Sequence, residues 1–408
     1  MHPKALSIAA YRYNLPDARI AKYPLAQRDT SKLLIYKDHT ITEDHFGRLA
    51  EHLPAQSMMV FNQTKVVHAR LPFQKPTGGK IEVFCLEPDG RYADVQTAMT
   101  EKGEVYWTCF LGGAGKWKEG QILLLEVNET LTVHAALIHK NTGSYTLRIF
   151  WNMPELSFAE ILHLAGKVPL PPYLNREAEQ EDETSYQTIF AKEEGSVAAP
   201  TAALHFTEAI LDQLAAKSIA TGFVTLHVGA GTFKPVKSDT MEGHEMHAEW
   251  IDVSLAFIKG LILQIQTGKP LVAVGTTSCR TLESLYWIGV QLQEGRPVLG
   301  QDIAVSQWVP YETNTSLSAT EALHILMQYL SDQGLDRLVT KTQIIIAPGY
   351  QFKLVDALVT NFHQPESTLL LLVSALIGGD WQKVYDHALD HDFRFLSYGD
   401  SSLLWKTS

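Results

Sequence analysis

Cysteine is scarce in this chain. Three occur in 408 residues, Cys85, Cys109 and Cys279, far apart and odd in number. No C-x-x-C pair exists, so neither a disulfide framework nor a cysteine zinc site is expected, and the pattern fits a reducing compartment. Long apolar runs are missing too. The strongest, Leu369–Val373 with its flanks, falls far short of the ~20 residues that cross a bilayer. Met1–Pro16 holds one lysine and only a short apolar patch at Ala5–Ala10, so no secretory leader is expected. A soluble, cytoplasmic protein with no membrane partner is the expectation. Basic excess is lacking as well. The net charge is −11, whereas nucleic-acid binders usually carry a positive surplus, so such a partner would need a local basic patch.

Familiar catalytic signatures are also absent. There is no G-x-x-x-x-G-K-[ST]; Gly78-Gly79-Lys80 lacks the preceding glycine and sits in a hairpin-like context. No G-x-S-x-G elbow occurs. Gly229-Ala230-Gly231 has no third glycine at dinucleotide-binding spacing, and a turn is the preferred reading. His244-Glu245-Met246-His247 spaces its histidines by three rather than four, so they do not share a helix face as in H-E-x-x-H, and no metal site is expected.

What is present is a folded composition: 45% hydrophobic, 10% aromatic and 19% charged. Single cores stop growing at roughly 250–300 residues, so two domains are expected. Two textures alternate. Residues 31–62 read as strand, helix, strand (Lys32–Tyr36, Thr42–Leu53, Met58–Phe61). From Val67 to Trp151 the texture is purely β: Lys80–Leu86, Val105–Leu111, Gln121–Val127, Leu131–Ile138 and Tyr145–Phe150, separated by turn residues. Closely spaced strands without helices predict a small barrel or sandwich. Helices then return at Phe206–Ala216, Leu255–Gln266, Ser367–Ile377 and Trp381–His391, with strands at Gly222–Leu226, Pro270–Val274, Thr342–Ala347 and Phe393–Ser397. The expected fold is an α/β main domain, residues 1–66 and 156–408, with an inserted all-β, barrel-like domain at 67–155.

Four loop-like segments carry polar groups between apolar elements. Arg28-Asp29-Thr30-Ser31 precedes a strand and is either a site or a capped surface turn. Asn62-Gln63-Thr64 ends one, where α/β sheets bind ligands, or is a solvated loop. Ala198 to Thr207 combines small residues, which permit close backbone approach, with His205 at a helix start. The helix dipole there favours the neutral imidazole that a general base needs, although a capping or packing histidine fits the pattern equally. Gly275-Thr276-Thr277-Ser278-Cys279-Arg280-Thr281 follows a buried strand and reads as an anion or carboxylate site, or as N-capping by Thr277 or Ser278. Cys279 reads as packing.

These segments, in this order, resemble the S-adenosylmethionine:tRNA ribosyltransferase-isomerase family of queuosine biosynthesis. So do Tyr23-Pro24-Leu25, Gly78-Gly79-Lys80-Ile81-Glu82-Val83 and Pro169-Leu170-Pro171-Pro172-Tyr173. The run from Tyr186-Gln187-Thr188 to Phe206-Thr207 is close to the family pattern, followed by Thr225-Leu226-His227-Val228-Gly229, Gly231-Thr232-Phe233, His247 and Glu249-Trp250. Arg280-Thr281-Leu282-Glu283-Ser284, Pro348-Gly349-Tyr350, Thr360-Asn361-Phe362-His363 and Ser397-Tyr398-Gly399-Asp400 complete it. The resemblance implies that the ribosyl group of S-adenosylmethionine, a co-substrate, is transferred and isomerised onto 7-aminomethyl-7-deazaguanine at the wobble position of tRNA. The product is epoxyqueuosine tRNA, with adenine and methionine released. The tRNA contact implied is the anticodon region, and no metal or redox cofactor is implied. A monomer is expected.

On that resemblance His205 or His227 is the expected base, with His247 or Asp400 handling the second proton. Thr276, Thr277, Ser278 and Arg280 are expected to hold the methionine carboxylate or a phosphate. Arg28, Asp29, Ser31, Asn62, Thr64, Pro200, Thr201 and Asn361 are further substrate-binding candidates, and Arg70 joins Lys65, Lys75 and Lys80 in the densest basic patch of the insert. Three departures stand out. Gln63 and Lys65 replace an acid and an arginine of the usual Asn-Asp-Thr-Arg, and lysine is no substitute for a bidentate guanidinium. His68 replaces a proline. Residues 291–342 run longer than usual, with an added helix expected near Ser318–Asp332. Two other readings are compatible: a diverged paralogue using another acceptor, and a non-catalytic RNA-binding protein, against which the retained polar loops speak.

Overall fold

A computed structural model describes residues 2–407 except 76, 114–116, 118–119, 230–235, 237 and 301. Gly231-Thr232-Phe233 and part of the Gly229-Ala230-Gly231 turn lie outside the described residues.

One ten-stranded mixed sheet organises the chain. Its order is Ile303–Val305, Arg337–Thr342, Glu249–Ser254, Ala220–His227, Met58–Asn62, Leu271–Val274, Ala357–Asn361, Ser401–Trp405, Lys32–Lys37, Thr40–His45. The middle four run parallel. Period-two alternation divides the side chains of these strands and of Lys32–Lys37 between two cores. Leu34, Val60 and Ala273 enter the larger cluster with the helices Leu255–Gln266 and Gly275–Gln293. Leu33, Met59, Phe61 and Val274 enter a smaller one with Phe206, Ile210 and Leu214.

Arg70–Gln74, Lys80–Pro88, Glu104–Gly112, Ile122–Glu126, Thr132–Lys140 and Tyr145–Trp151 close into a six-stranded barrel. The inward residues of the expected β-rich run fill it: Ile81, Val83, Val105, Trp107, Val133 and Ile149 are all buried. Phe158, Ile161 and Leu162, on the capped helix Phe158–Ala165, pack on the same cluster. The architecture is therefore an α/β layer with an all-β barrel, as the sequence indicates.

Several local readings are corrected. Thr42–Leu53 is not a helix. Asp38 and His39 adopt positive φ (48° and 61°), as a two-residue hairpin turn requires. The chain therefore folds back as the strand Thr40–His45, and Phe46–His52 is 3-10 helix. The strand expected at Thr342–Ala347 instead ends at Thr342, and Phe393–Ser397 makes only a single bridge to Ile20 through Phe395. The last strand is Ser401–Trp405. The sequence reading also passed over the strand Arg70–Gln74, whose Pro72 argued against it, the short helix Val95–Met99 and the antiparallel strand Glu249–Ser254.

The long 291–342 segment is part of the core rather than an appendage. Its helix Ala319–Asp332 opens with a Ser318–Glu321 capping box and buries Ala322, Leu323, Leu326 and Leu330. It lies so close to Gly275–Gln293 that a Cβ at Gly289 would stand 2.1 Å from the Ala322 carbonyl oxygen.

A buried carboxylate fixes the loop that follows. Glu283 accepts hydrogen bonds from the Tyr350 hydroxyl (2.6 Å) and from the backbone N–H groups of Lys353, Leu354 and Val355 (2.9, 3.0 and 2.9 Å). All four partners are donors, so Glu283→Gln turns an acceptor into an NH₂ facing N–H groups. It should lower unfolding free energy by roughly 1–3 kcal/mol in denaturant titration; an unchanged midpoint would show that the loop repacks freely.

Candidate active site

Strand direction gathers the polar segments on one edge. The four parallel strands finish there at His227, Asn62, Val274 and Asn361. Their antiparallel neighbours start at the same edge at Ser401 and Glu249; beyond Glu249–Ser254 the strand Arg337–Thr342 ends there at Thr342, and the strand parallel to Ser401–Trp405 starts there at Lys32. A cavity of about 480 Å³ opens at this edge, beyond the carboxyl ends where α/β sheets bind ligands. Of the sequence-derived candidates, Pro200, Thr201, Thr276, Thr277, Arg280, Asn361 and His247 line it.

One wall presents unsatisfied donors. Gly275 turns the chain from strand to helix at φ 85°, a left-handed conformation that a β-branched residue would resist. Helix Gly275–Gln293 then starts with no side chain capping its N-terminus. The helix thus offers the positive end of its dipole and uncapped N–H groups on the cavity side. The hydroxyl residues expected in a loop are in fact its first turn. Thr277 Oγ1 and Arg280 Nη2 are buried and unpartnered among the described residues. Arg280 is aimed by its other nitrogens: Nη1 pairs with buried Glu249, and Nε donates to the Ile344 carbonyl at 3.2 Å. Ser278 is buried and does not line the cavity.

A second wall hangs on a hydrogen-bond chain. His205 Nδ1 lies 2.9 Å from Ser31 Oγ, and Asn361 Nδ2 donates to His205 Nε2 at 3.2 Å. Asn361 Oδ1 accepts from Thr201 Oγ1 at 3.0 Å. His205 therefore carries its proton on Nδ1 and steadies Asn361; it does not line the cavity. It closes a 3-10 turn, Thr201–His205, rather than opening a helix. Burial, not a helix dipole, pushes its pKa down to about 4.

Other candidates are committed elsewhere. His227 is buried with its pKa pushed down to about 4 by desolvation, its Nδ1 3.0 Å from Thr64 Oγ1. Asn62 bridges strands through Leu226 and accepts from Thr64 N–H. Asp400 accepts from the backbone N–H groups of Lys32 and Arg394 and pairs with the Arg394 guanidinium, so both oxygens are engaged. Arg28 donates to the carbonyls of Thr184, Ser185 and Gln187. Asp29 accepts from Thr207. Arg70 lies on the barrel, paired with Glu82 and stacked on Phe84. Lys65 pairs with Glu194, so two cations of the basic patch, Arg70 and Lys65, have carboxylate partners. Gln63 donates to Thr225 Oγ1 at 3.3 Å.

His363 was not singled out, although it ends the motif Thr360-Asn361-Phe362-His363. It is buried on the cavity wall, and desolvation lowers its pKa to about 4. Its Nε2 meets Thr360 Oγ1 at 3.0 Å; its N–H donates to Tyr385 Oη and its carbonyl accepts from Tyr13 Oη. The signal available in sequence was a histidine two residues beyond a strand end at the ligand-binding edge. Glu249 and Tyr173, also on the wall, had no such signal.

A family model described as "Queuosine biosynthesis protein" matches residues 8–404. The chain belongs to the queuosine biosynthesis protein family. Curated members named S-adenosylmethionine:tRNA ribosyltransferase-isomerase come from Magnetococcus marinus and Trichlorobacter lovleyi. The first is 35% identical over 98% of this chain and 94% of its own length. The second is 36% identical over 97% and 99%. A crystal structure of an S-adenosylmethionine tRNA ribosyltransferase from Thermotoga maritima, 26% identical, covers 96% of this chain and 99% of its own, at a TM-score of 0.45. The likeness to this family spans barrel and sheet alike. Among the described residues, no helix is long and apolar enough to cross a membrane.

Three buried imidazoles give this family member an acid sensitivity. His205, His227 and His363 each have a folded pKa of about 4 against an ordinary 6.5. The unfolded chain takes up protons that the fold refuses. Stability is thus fully present above pH 6.5 and falls as pH drops towards 4, by about 1.4 kcal/mol per pH unit for each proton. Denaturant midpoints at pH 7.5 and 5.0 should show the drop; equal midpoints would mean that the rings charge inside the fold.

Proposed function

We propose that this enzyme transfers and isomerises the ribosyl moiety of S-adenosylmethionine onto 7-aminomethyl-7-deazaguanine at the tRNA wobble position, giving epoxyqueuosine tRNA, adenine and methionine. It acts in the cytoplasm as a monomer, engages the anticodon region, and needs no metal or redox cofactor for this reaction. Family membership supplies the reaction, and one observation ties it to this chain: a cavity at the sheet's ligand edge with an unsatisfied Arg280 Nη2 and Thr277 Oγ1 on its wall.

The methionine carboxylate of S-adenosylmethionine takes the empty positions on Arg280 and Thr277 and the first N–H groups of helix Gly275–Gln293. Charge-assisted hydrogen bonds and the helix N-terminus both favour it there. The sulfonium acidifies the adjacent 5′ C–H. His363, neutral at working pH because of its burial, is the cavity imidazole that accepts this proton, and His247, on the same wall, serves the departing adenine. His205 is a positioning residue that acts through Asn361. Asp400, with both oxygens engaged, holds the start of Ser401–Trp405. The free aminomethyl nitrogen of the tRNA base attacks, and methionine leaves as a neutral thioether. A positioned base contributes ~10²–10⁴-fold, and holding both substrates in attack geometry adds to it.

Adenine release from S-adenosylmethionine, measured with and without tRNA carrying 7-aminomethyl-7-deazaguanine, tests the reading. Release that depends on this tRNA, with a matching mass gain on the tRNA, is expected. Release without tRNA would favour the paralogue. Arg280→Lys keeps charge but loses the fork, and should raise KM for S-adenosylmethionine about tenfold while leaving that for tRNA alone. KM values unchanged from the parent enzyme for both substrates would remove Arg280 from the carboxylate site. His363→Ala should lower kcat by roughly 10²-fold or more, and full turnover would return the base role to another residue.

A further inference from the structure

Remote from the cavity, three metal-ligating side chains converge on the sheet's outer strand. His387 lies in the last turn of helix Trp381–Asp390 and His391 is its C-cap, four residues on, so the two rings share a face. They stack with centroids 3.8 Å apart and planes 16° apart. Glu43, on the edge strand Thr40–His45, faces both. Its Oε1 is 2.7 Å from His387 Nε2 and 4.0 Å from His391 Nε2. The candidate ligand atoms of all three residues lie within 4.8 Å of one another. None of the three lines the cavity.

We propose that Glu43, His387 and His391 form a site for a divalent transition-metal ion, zinc or its borderline neighbours, that clamps the C-terminal helix to the edge hairpin. Geometry supports it. Tetrahedral zinc with bonds near 2.0–2.1 Å sets its ligand atoms about 3.3 Å apart, between the two observed nitrogen–oxygen separations. Small rotations of the exposed Glu43 and His391 and the half-buried His387 would bring both to that value, with water in the fourth position. The outer contacts are also in place. His391 Nδ1 lies 2.8 Å from the His387 carbonyl and donates to it, which leaves the Nε2 lone pair facing Glu43. The neighbouring Lys32 ammonium is taken up by the His391 carbonyl and the Phe393 ring. Two imidazoles and one carboxylate suit zinc, nickel or copper and not magnesium or calcium. The pair His387/His391 has the spacing that His244 and His247 lack, but its carboxylate partner is 344 positions away.

The competing account is a plain hydrogen-bonded clamp with one histidine protonated. Calorimetric titration of chelator-treated full-length protein with ZnCl₂ at pH 7.5, paired with thermal melting, separates the two. Metal binding predicts a zinc site whose dissociation constant rises at least tenfold in H387A/H391A, and a zinc-dependent rise in Tm that the variant loses. MgCl₂ should reproduce neither effect. Glu43→Gln keeps the shape and removes the charged ligand, so it gives the same loss of zinc affinity even where the double variant folds poorly. Undiminished zinc affinity in E43Q and in H387A/H391A, or an equal Tm shift with magnesium, would overturn the proposal.

Discussion

The pair between Arg280 and Glu249 is the contact on which the cavity depends. Both groups are buried, and taking two charges from water costs several kcal/mol per ion unless the geometry recovers it. Here the pair joins helix Gly275–Gln293 to the first residue of strand Glu249–Ser254. With Nη1 on Glu249 and Nε on the Ile344 carbonyl, one guanidinium nitrogen remains, Nη2, and it is the unsatisfied one. Stability alone gives no reason for a charge held so deep with an unpartnered nitrogen at a cavity wall.

Direction does the rest of the assembly. Each of the central strands must end at the same edge because all four run parallel. A residue just beyond a strand end, or just before the start of an antiparallel one, arrives at the cavity without further instruction. That explains why residues as distant as Thr201, Arg280 and His363 share one wall. It also explains the division of labour behind it. Ser31, Asn62, Thr64, His205, His227 and Asp400 are polar and buried; they bond to each other and to strand ends, and keep the wall residues in place.

Much of this was legible in the residues. The β-rich run between turn signals specified the barrel, and the hydroxyls and arginine after the strand Leu271–Val274 pointed to residues that line the cavity. Burial was what the sequence could not convey. His205 and His363 look equally polar on paper, yet one faces Asn361 and the other the cavity, a distinction set by contacts across more than 150 positions. Thr42–Leu53 was misread because Thr42-Glu43-Asp44-His45 is a wholly polar run on an edge strand, where no apolar face marks the period. Asp400 was read as reactive because a carboxylate in a family motif invites it; its partners, two backbone N–H groups and the Arg394 guanidinium, are brought to it only by folding.

Strand edges are where folded β proteins meet unwanted copies of themselves. The barrel closes on itself and has none. The sheet has two: one is the three-residue strand Ile303–Val305, and the other carries Glu43, Asp44 and His45 with the C-terminal helix leaning on it. Among the described residues the wide sheet thus offers a second molecule little open ladder to extend.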